Sequence, residues 1–309
     1  MKLLDKVLFF PVTPFGREPG GGVQRDVLAE LVADRLAYEP GAVFVACGTG
    51  EFHAMDVGEH DAAMRATVAA VDGQVPVIAG SGGPLPVARA FARQAQAAGA
   101  DGLLLMPPYL VGGASDGMVA YVEHVAASSE LPIILYQRSQ VRFTTEAIRR
   151  LAQNPRIVGL KDGTGDVELV QQLVLALHEE LGDQVGDVFT LFSGLPTAEF
   201  TVSAYRGLGV DRYSSAAFCF IPEVASAFHA AHVAGDAERE RELLTGFFAP
   251  LVHLRDQVPG YAISLVKAGV RLRGFDVGSV RAPLTDPTPE HLRELERLIG
   301  VGLDLVGHG

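Results

Sequence analysis

Apolar residues in this chain fall into short runs of strand length that alternate with longer stretches of helical periodicity, and the alternation repeats eight times. The runs over 7–11, 42–47, 75–80, 102–106 and 132–136 each end in polar, Gly or Pro residues and predict five buried strands. A sixth opens at Ile157 and ends on Lys161, and a seventh and eighth cover 188–193 and 211–215. Between them, Val27, Leu28, Leu31, Val32 and Leu36 share one helical face, and Asp56 supplies an N-cap for a helix to Val71. Further helices are predicted over 84–98, 115–128, 144–154, 167–181 and 196–207. From Ile221 onward the pattern is helical throughout, over 223–234, 237–255, 261–273 and 289–299.

Eight strand-then-helix units in about 230 residues fit a (β/α)8 TIM barrel of the α/β class better than a doubly wound sheet. The domains expected are a barrel carrying the catalytic site over 1–234 and a C-terminal helical extension over 235–309. With 309 residues and 48% hydrophobic composition, the chain can bury one large core. A formal net charge of −12, spread without blocks, argues against a nucleic-acid surface. Cys47 and Cys219 are the only cysteines, and their wide separation points to a reducing compartment with no disulfide framework. The first residues carry an acid ahead of a short apolar run and read as a strand, not a signal peptide. No apolar run approaches the roughly 18 to 20 residues of a membrane span, so a cytoplasmic protein without a membrane partner is expected.

In a TIM barrel the chemistry sits at the carboxyl ends of the strands. Those ends offer Thr13 and Pro14, then Gly48-Thr49-Gly50-Glu51, Ser81-Gly82 and Pro107-Pro108-Tyr109. Tyr136-Gln137-Arg138, Lys161-Asp162, Ser193-Gly194 and Ser214-Ser215 complete the rim. Lys161 stands out. Strand alternation puts it on one face with Gly159 and Ile157, with Val158 and Leu160 opposite. Burial disfavours an ammonium, so the pKa of such an amine falls from its ordinary value of about 10.4 and the neutral form can condense with a ketone. The alternative is a lysine that snorkels or pairs with an acid such as Glu51. Tyr136, on the same face as Ile134, is either a proton shuttle beside that amine or an amphipathic rim residue. Backbone amides of the Gly48–Gly50 turn suit a carboxylate, with the Thr49 hydroxyl beside them. Arg138 can hold an anion or form a solvated salt bridge. The nine histidines show no metal-ligand spacing, and Glu51 with His53 lacks a third ligand, so no metal is expected.

These residues resemble the Schiff-base aldolases and dehydratases typified by dihydrodipicolinate synthase and N-acetylneuraminate lyase. The resemblance rests on Pro11-Val12-Thr13-Pro14-Phe15, Gly48-Thr49-Gly50-Glu51, Tyr136 and Gly159-Leu160-Lys161-Asp162, in that order. The runs 193–199, 213–216, 259–269 and 282–286 are similar to the branch that dehydrates 5-dehydro-4-deoxyglucarate with loss of CO2. The resemblance implies an imine on Lys161, proton transfers assisted by Tyr136 and Thr49, and no cofactor beyond that covalent imine. It implies substrate contacts at Pro11, Thr13, Gly48, Gly50, Glu51, Arg138, Ser193, Gly194 and Ser215, a small keto sugar-acid substrate, and a homotetramer built as a dimer of dimers. The chain departs from that branch at Gln137, Ser139, Gln140 and Val258, and has Leu110 where dihydrodipicolinate synthases place a second tyrosine. A pyruvate-dependent aldolase of the same family, or a non-catalytic sugar-acid-binding barrel, are the competing expectations.

Overall fold

The computed structural model describes residues 6–18, 21–108, 112–139 and 141–308. Eight parallel strands close into a barrel in sequence order. They are β1 (Leu8–Phe9), β2 (Ala42–Val45), β3 (Val77–Ser81), β4 (Gly102–Leu105), β5 (Ile133–Gln137), β6 (Ile157–Asp162), β7 (Thr190–Ser193) and β8 (Arg212–Ser215). The barrel helices are α1 (Arg25–Leu36), α2 (Val57–Val71), α3 (Leu85–Ala98), α4 (Ser115–Ala126), α5 (Thr145–Ala152), α6 (Val167–Leu181), α7 (Val202–Arg206) and α8 (Pro222–Ala234). The extension adds α9 (Ala237–Leu243), α10 (Ala249–Arg255), α11 (Tyr261–Leu272) and α12 (Pro289–Leu305). No helix among the described residues is long and apolar enough to cross a membrane.

Local chemistry explains the element starts. Asp56 accepts from the Glu59 amide at 2.8 Å while Glu59 accepts from the Asp56 amide at 3.2 Å, a capping box that satisfies two otherwise orphaned donors of α2. Thr144 and Asp166 cap α5 and α6 one way, their side chains accepting from the amides of Ala147 at 3.2 Å and Leu169 at 3.1 Å. The predicted and observed spans differ where tertiary contacts intervene. β1 stops at Phe9 because Pro11 has no N–H to continue a ladder. The helix expected over 196–207 is reduced to a 3-10 turn, Ala198–Phe200, followed by α7, since Thr197 takes a left-handed backbone (φ 55°) where the helix would begin. The helix expected over 237–255 is interrupted by a π-helical segment, Leu244–Phe248. Pro250 follows, and the wider turn accommodates its ring and missing N–H. α12 runs past Ile299 to Leu305, with Gly302 packed so tightly that a Cβ there would lie 2.8 Å from Phe247.

Two apolar layers result. Leu8, Phe10, Phe44, Ile78, Leu104, Ile134, Tyr136 and Phe192 fill the barrel interior, while their strand neighbours Phe9, Val43, Val45, Leu103, Ile133 and Leu135 pack outward against the helices. Full burial of each such side chain contributes roughly 1.5–3 kcal/mol. β6 departs from simple alternation. Its register with β5 runs Ile133↔Ile157 and then Ile134↔Gly159, so Val158 is an extra residue. Ile157 therefore joins Leu160 in the outer layer, and Val158 packs against the interior, the reverse of the expected placement for both Ile157 and Val158. Beyond the bulge the pairing Tyr136↔Lys161 brings the two candidate groups side by side.

Candidate active site

Lys161 enters the top of the barrel over an aromatic floor. Its Nζ lies 3.9 Å from the centroid of the Phe10 ring, 4.7 Å from that of Tyr136 and 6.0 Å from that of Phe192. Phe10 is itself stacked on Phe44 with centroids 4.4 Å apart. Among the described residues no carboxylate pairs with this amine, and the residue is only 7% exposed. Burial pushes Lys161 down to about 7, with the Arg138 cation adding to the effect. Cys47 beside it offers no counter-ion, because burial pushes its thiol up to about 12 and leaves it uncharged where the amine titrates.

Tyr136 points inward with Ile134. Burial raises its phenol above the usual value, so it remains a proton donor, and its hydroxyl reaches the Gly194 carbonyl at 3.5 Å. A clasp on the opposite face of the same strands fixes the pair. Gln137 Nε2 donates to Asp162 Oδ1 at 2.7 Å, Thr164 Oγ1 donates to the same oxygen at 2.7 Å, and Tyr205 donates its hydroxyl to Asp162 Oδ2.

Two glycines make room. A Cβ on Gly194 would fall 2.2 Å from Lys161 Cε and 2.5 Å from its Cγ, and one on Gly163 would fall 2.9 Å from the Tyr136 hydroxyl. Neither position needs an unusual backbone angle, and the requirement is steric. Gly194→Ala is therefore expected to push the amine aside and lower kcat on the order of 100-fold, because displacement by about 1 Å costs that much. A thermal melt within a few degrees of the wild type, alongside steady-state rates, checks that the loss is local.

After β2 the chain turns sharply, with Glu51 N donating to the Gly48 carbonyl at 3.1 Å. The amides of Gly48 and Thr49 have no hydrogen-bond partner among the described residues, and both residues line the cavity above Lys161. Arg138 approaches from the β5 loop, its Nη1 3.9 Å from where a Gly48 Cβ would stand. Two free amides, a hydroxyl and a guanidinium thus converge beside a neutral amine, an arrangement that can orient an anionic carbonyl compound for imine formation.

The cavity has a volume of about 450 Å3 and contains Gly48, Thr49, Tyr136, Arg138, Lys161 and Gly194 in its wall. Pro11, Thr13, Gly50, Glu51, Ser193 and Ser215 do not line it. Ser193 and Ser215 face outward, because Phe192 takes the interior position on β7 and Ser214 that on β8. Ser215 instead donates its hydroxyl to Glu199 and accepts from the Phe218 amide at 3.0 Å. Thr13 donates to the Gly50 carbonyl at 2.6 Å and acts behind the turn. Glu51 is wholly buried in an ion pair with Lys267 at 2.6 Å, which removes it from any direct substrate contact and also from Lys161. The wall includes His53, Ser139 and Ser214 and, from the extension, Gly260, Ala262, Ile263, Pro283 and Leu284. No local pattern marks the extension residues as cavity wall; only closure of the fold brings them there. Tyr109, Leu110 and Gln140 lie outside the described residues.

A family model described as the dihydrodipicolinate synthetase family matches residues 3–301. The chain is 50% identical over 302 residues to a probable 5-dehydro-4-deoxyglucarate dehydratase 1 of Streptomyces coelicolor, covering 98% of this chain and 94% of that protein. It is 38% identical over 298 residues to the 5-dehydro-4-deoxyglucarate dehydratase of Pseudomonas putida, covering 96% and 95%. Among solved structures, a dihydrodipicolinate synthase from Bacillus anthracis superposes with a TM-score of 0.83 at 26% identity, covering 96% of this chain and 98% of that one.

Proposed function

The chain belongs to the dihydrodipicolinate synthetase family, and from that premise we propose that it is a Schiff-base lyase that dehydrates and decarboxylates 5-dehydro-4-deoxyglucarate to 2,5-dioxopentanoate. The observation that carries the reading is the unpaired, buried Lys161 amine beside Tyr136 and the open amides of the Gly48–Thr49 turn.

The turn and Arg138 hold the carboxylate next to the substrate ketone, and the neutral Lys161 amine adds to the ketone carbon. Tyr136, still protonated near neutrality, donates to the departing carbinolamine oxygen, and water leaves to give the iminium. Loss of a proton from the adjacent methylene gives the enamine, whose electrons expel the β-hydroxyl as water once it is protonated. The resulting conjugated iminium accepts the electron pair released when the distal carboxylate departs as CO2. Reprotonation of the chain, ketonisation of the enol left at the former carboxylate-bearing carbon, and hydrolysis of the imine release the product and regenerate the amine.

Incubation with 5-dehydro-4-deoxyglucarate is expected to yield 2,5-dioxopentanoate and CO2 in equal amounts. Pyruvate release from keto-deoxy acids with no dioxopentanoate would redirect the reading to an aldolase. Borohydride added with substrate should leave a reduced adduct on Lys161 by mass spectrometry, and an unmodified lysine would rule out the imine.

A further inference from the structure

Glu51 closes the turn that carries Gly48 and Thr49, and it does so in a left-handed backbone conformation, φ 57° and ψ 43°, that residues other than glycine adopt sparingly. Something outside the turn must hold it there. Both oxygens of its carboxylate are satisfied by the C-terminal extension. Oε1 accepts from Lys267 Nζ of α11 at 2.6 Å, and Oε2 accepts from the backbone amide of Arg281 at 2.7 Å. Neither side chain of the Glu51–Lys267 pair is exposed at all.

Arg281 is anchored in turn. Its guanidinium donates to both oxygens of Glu59 at 2.6 and 2.7 Å and to the carbonyls of Ala54 and Gly21. Phe15, from the loop after β1, lies against both cations, its ring centroid 4.3 Å from Lys267 Nζ and 3.8 Å from Arg281 Cζ. Thr13, two residues before Phe15, holds the Gly50 carbonyl from the other side. The turn is thus gripped by the β1 loop on one side and by two points of the extension on the other. A buried ion pair is a costly way to add stability, since apolar residues of similar size do as well or better. What it supplies here is direction: a carboxylate with two fixed donors has one position, and the turn attached to it has one conformation.

We propose that Glu51 and Lys267 are positioning residues for carboxylate recognition: the pair, with the Arg281 amide, holds the Gly48 and Thr49 amides aimed into the cavity, so that the extension sets the affinity for the α-keto acid end of the substrate. The proposal rests on the reading of that turn as the carboxylate cradle.

The test compares pyruvate, the smallest α-keto acid, with hydroxyacetone, which carries a ketone but no carboxylate, as partners for borohydride trapping on Lys161. Wild-type protein is expected to reach half-maximal trapping at a pyruvate concentration at least about tenfold below that for hydroxyacetone. Loss of the preference in wild type would overturn the cradle itself. The double variant Glu51→Gln/Lys267→Met removes both charges together and so leaves no unpaired buried ion. Its preference for pyruvate is expected to fall to threefold or less, with hydroxyacetone trapping within threefold of wild type. A retained preference would overturn the proposal while leaving the cradle standing, and an equal loss with both ketones would reduce the pair to general structural support. If the double variant shows no cooperative melt, Glu51→Asp keeps both charges, shortens the reach by one methylene, and is read by the same ratio.

Discussion

Lys161→Met is expected to abolish turnover, by on the order of 10^4-fold or more, and at the same time to raise the thermal midpoint of the protein. The first effect follows from removing the only group in the proposed reaction that can form the imine, and losses of that order or larger accompany removal of a covalent nucleophile. The second follows from proton linkage. Burial lowers the Lys161 amine to about 7 from 10.5. Between those two values the unfolded chain binds a proton that the folded chain does not, so the amine opposes folding. The penalty is fully present below pH 7, shrinks as pH rises towards 10.5 and vanishes above it. A shift of this size corresponds to roughly 4–5 kcal/mol at the acid limit. Methionine has nearly the same length and no charge, so its stabilising effect should be greatest at and below neutrality and should fade in alkaline solution. Melting curves of both proteins across that range test the sign, and a variant less stable than wild type at pH 6 would contradict the burial argument. In the wild type, imine trapping should accelerate as pH rises through about 7 and then level off.

Tyr136→Phe is expected to lower kcat by about 10^2- to 10^3-fold, the range for loss of a positioned general acid. The ring would still pack beside Lys161 and fill the space above Gly163, so KM and the melting temperature should change little. The position tolerates phenylalanine structurally because the hydroxyl's hydrogen bond to the Gly194 carbonyl is long, 3.5 Å, and its other polar neighbour, Arg138, lines the cavity. Single-turnover trapping separates the outcomes: slow imine formation at normal substrate affinity supports proton transfer, whereas an unchanged rate would leave Tyr136 as wall.

Much of this was legible in one dimension. Strand ends follow from apolar runs broken by turn residues, and because barrel chemistry gathers at those ends, Lys161, Tyr136, Gly48, Thr49, Arg138 and Gly194 could be named together from their rank along the chain. The extension could also be seen as helical. What failed was face assignment over one or two residues. The pattern points to Ser215 where Ser214 lines the cavity, to Ser193 where Phe192 takes the interior position of β7, and to Ile157 beside Lys161 although a bulge at Val158 reverses it. A period of two amplifies any slip, since an offset of one residue moves a side chain to the opposite layer.

By itself, then, the sequence determined the eight-fold alternation, the order of the rim groups and the identity of the amine. These depend on local periodicity and turn chemistry, which neighbouring residues fix. Only the tertiary structure decided which partner each charge takes. The sequence presents Glu51 as an acid available to substrate or to Lys161, yet it closes on Lys267, 216 positions away, and that choice leaves Lys161 without a counter-ion among the described residues. The cavity wall from Gly260 to Leu284 has the same origin. Pairings over such distances are settled when the layers pack and water is excluded, because only then does the cost of an unpaired buried charge select one partner among many.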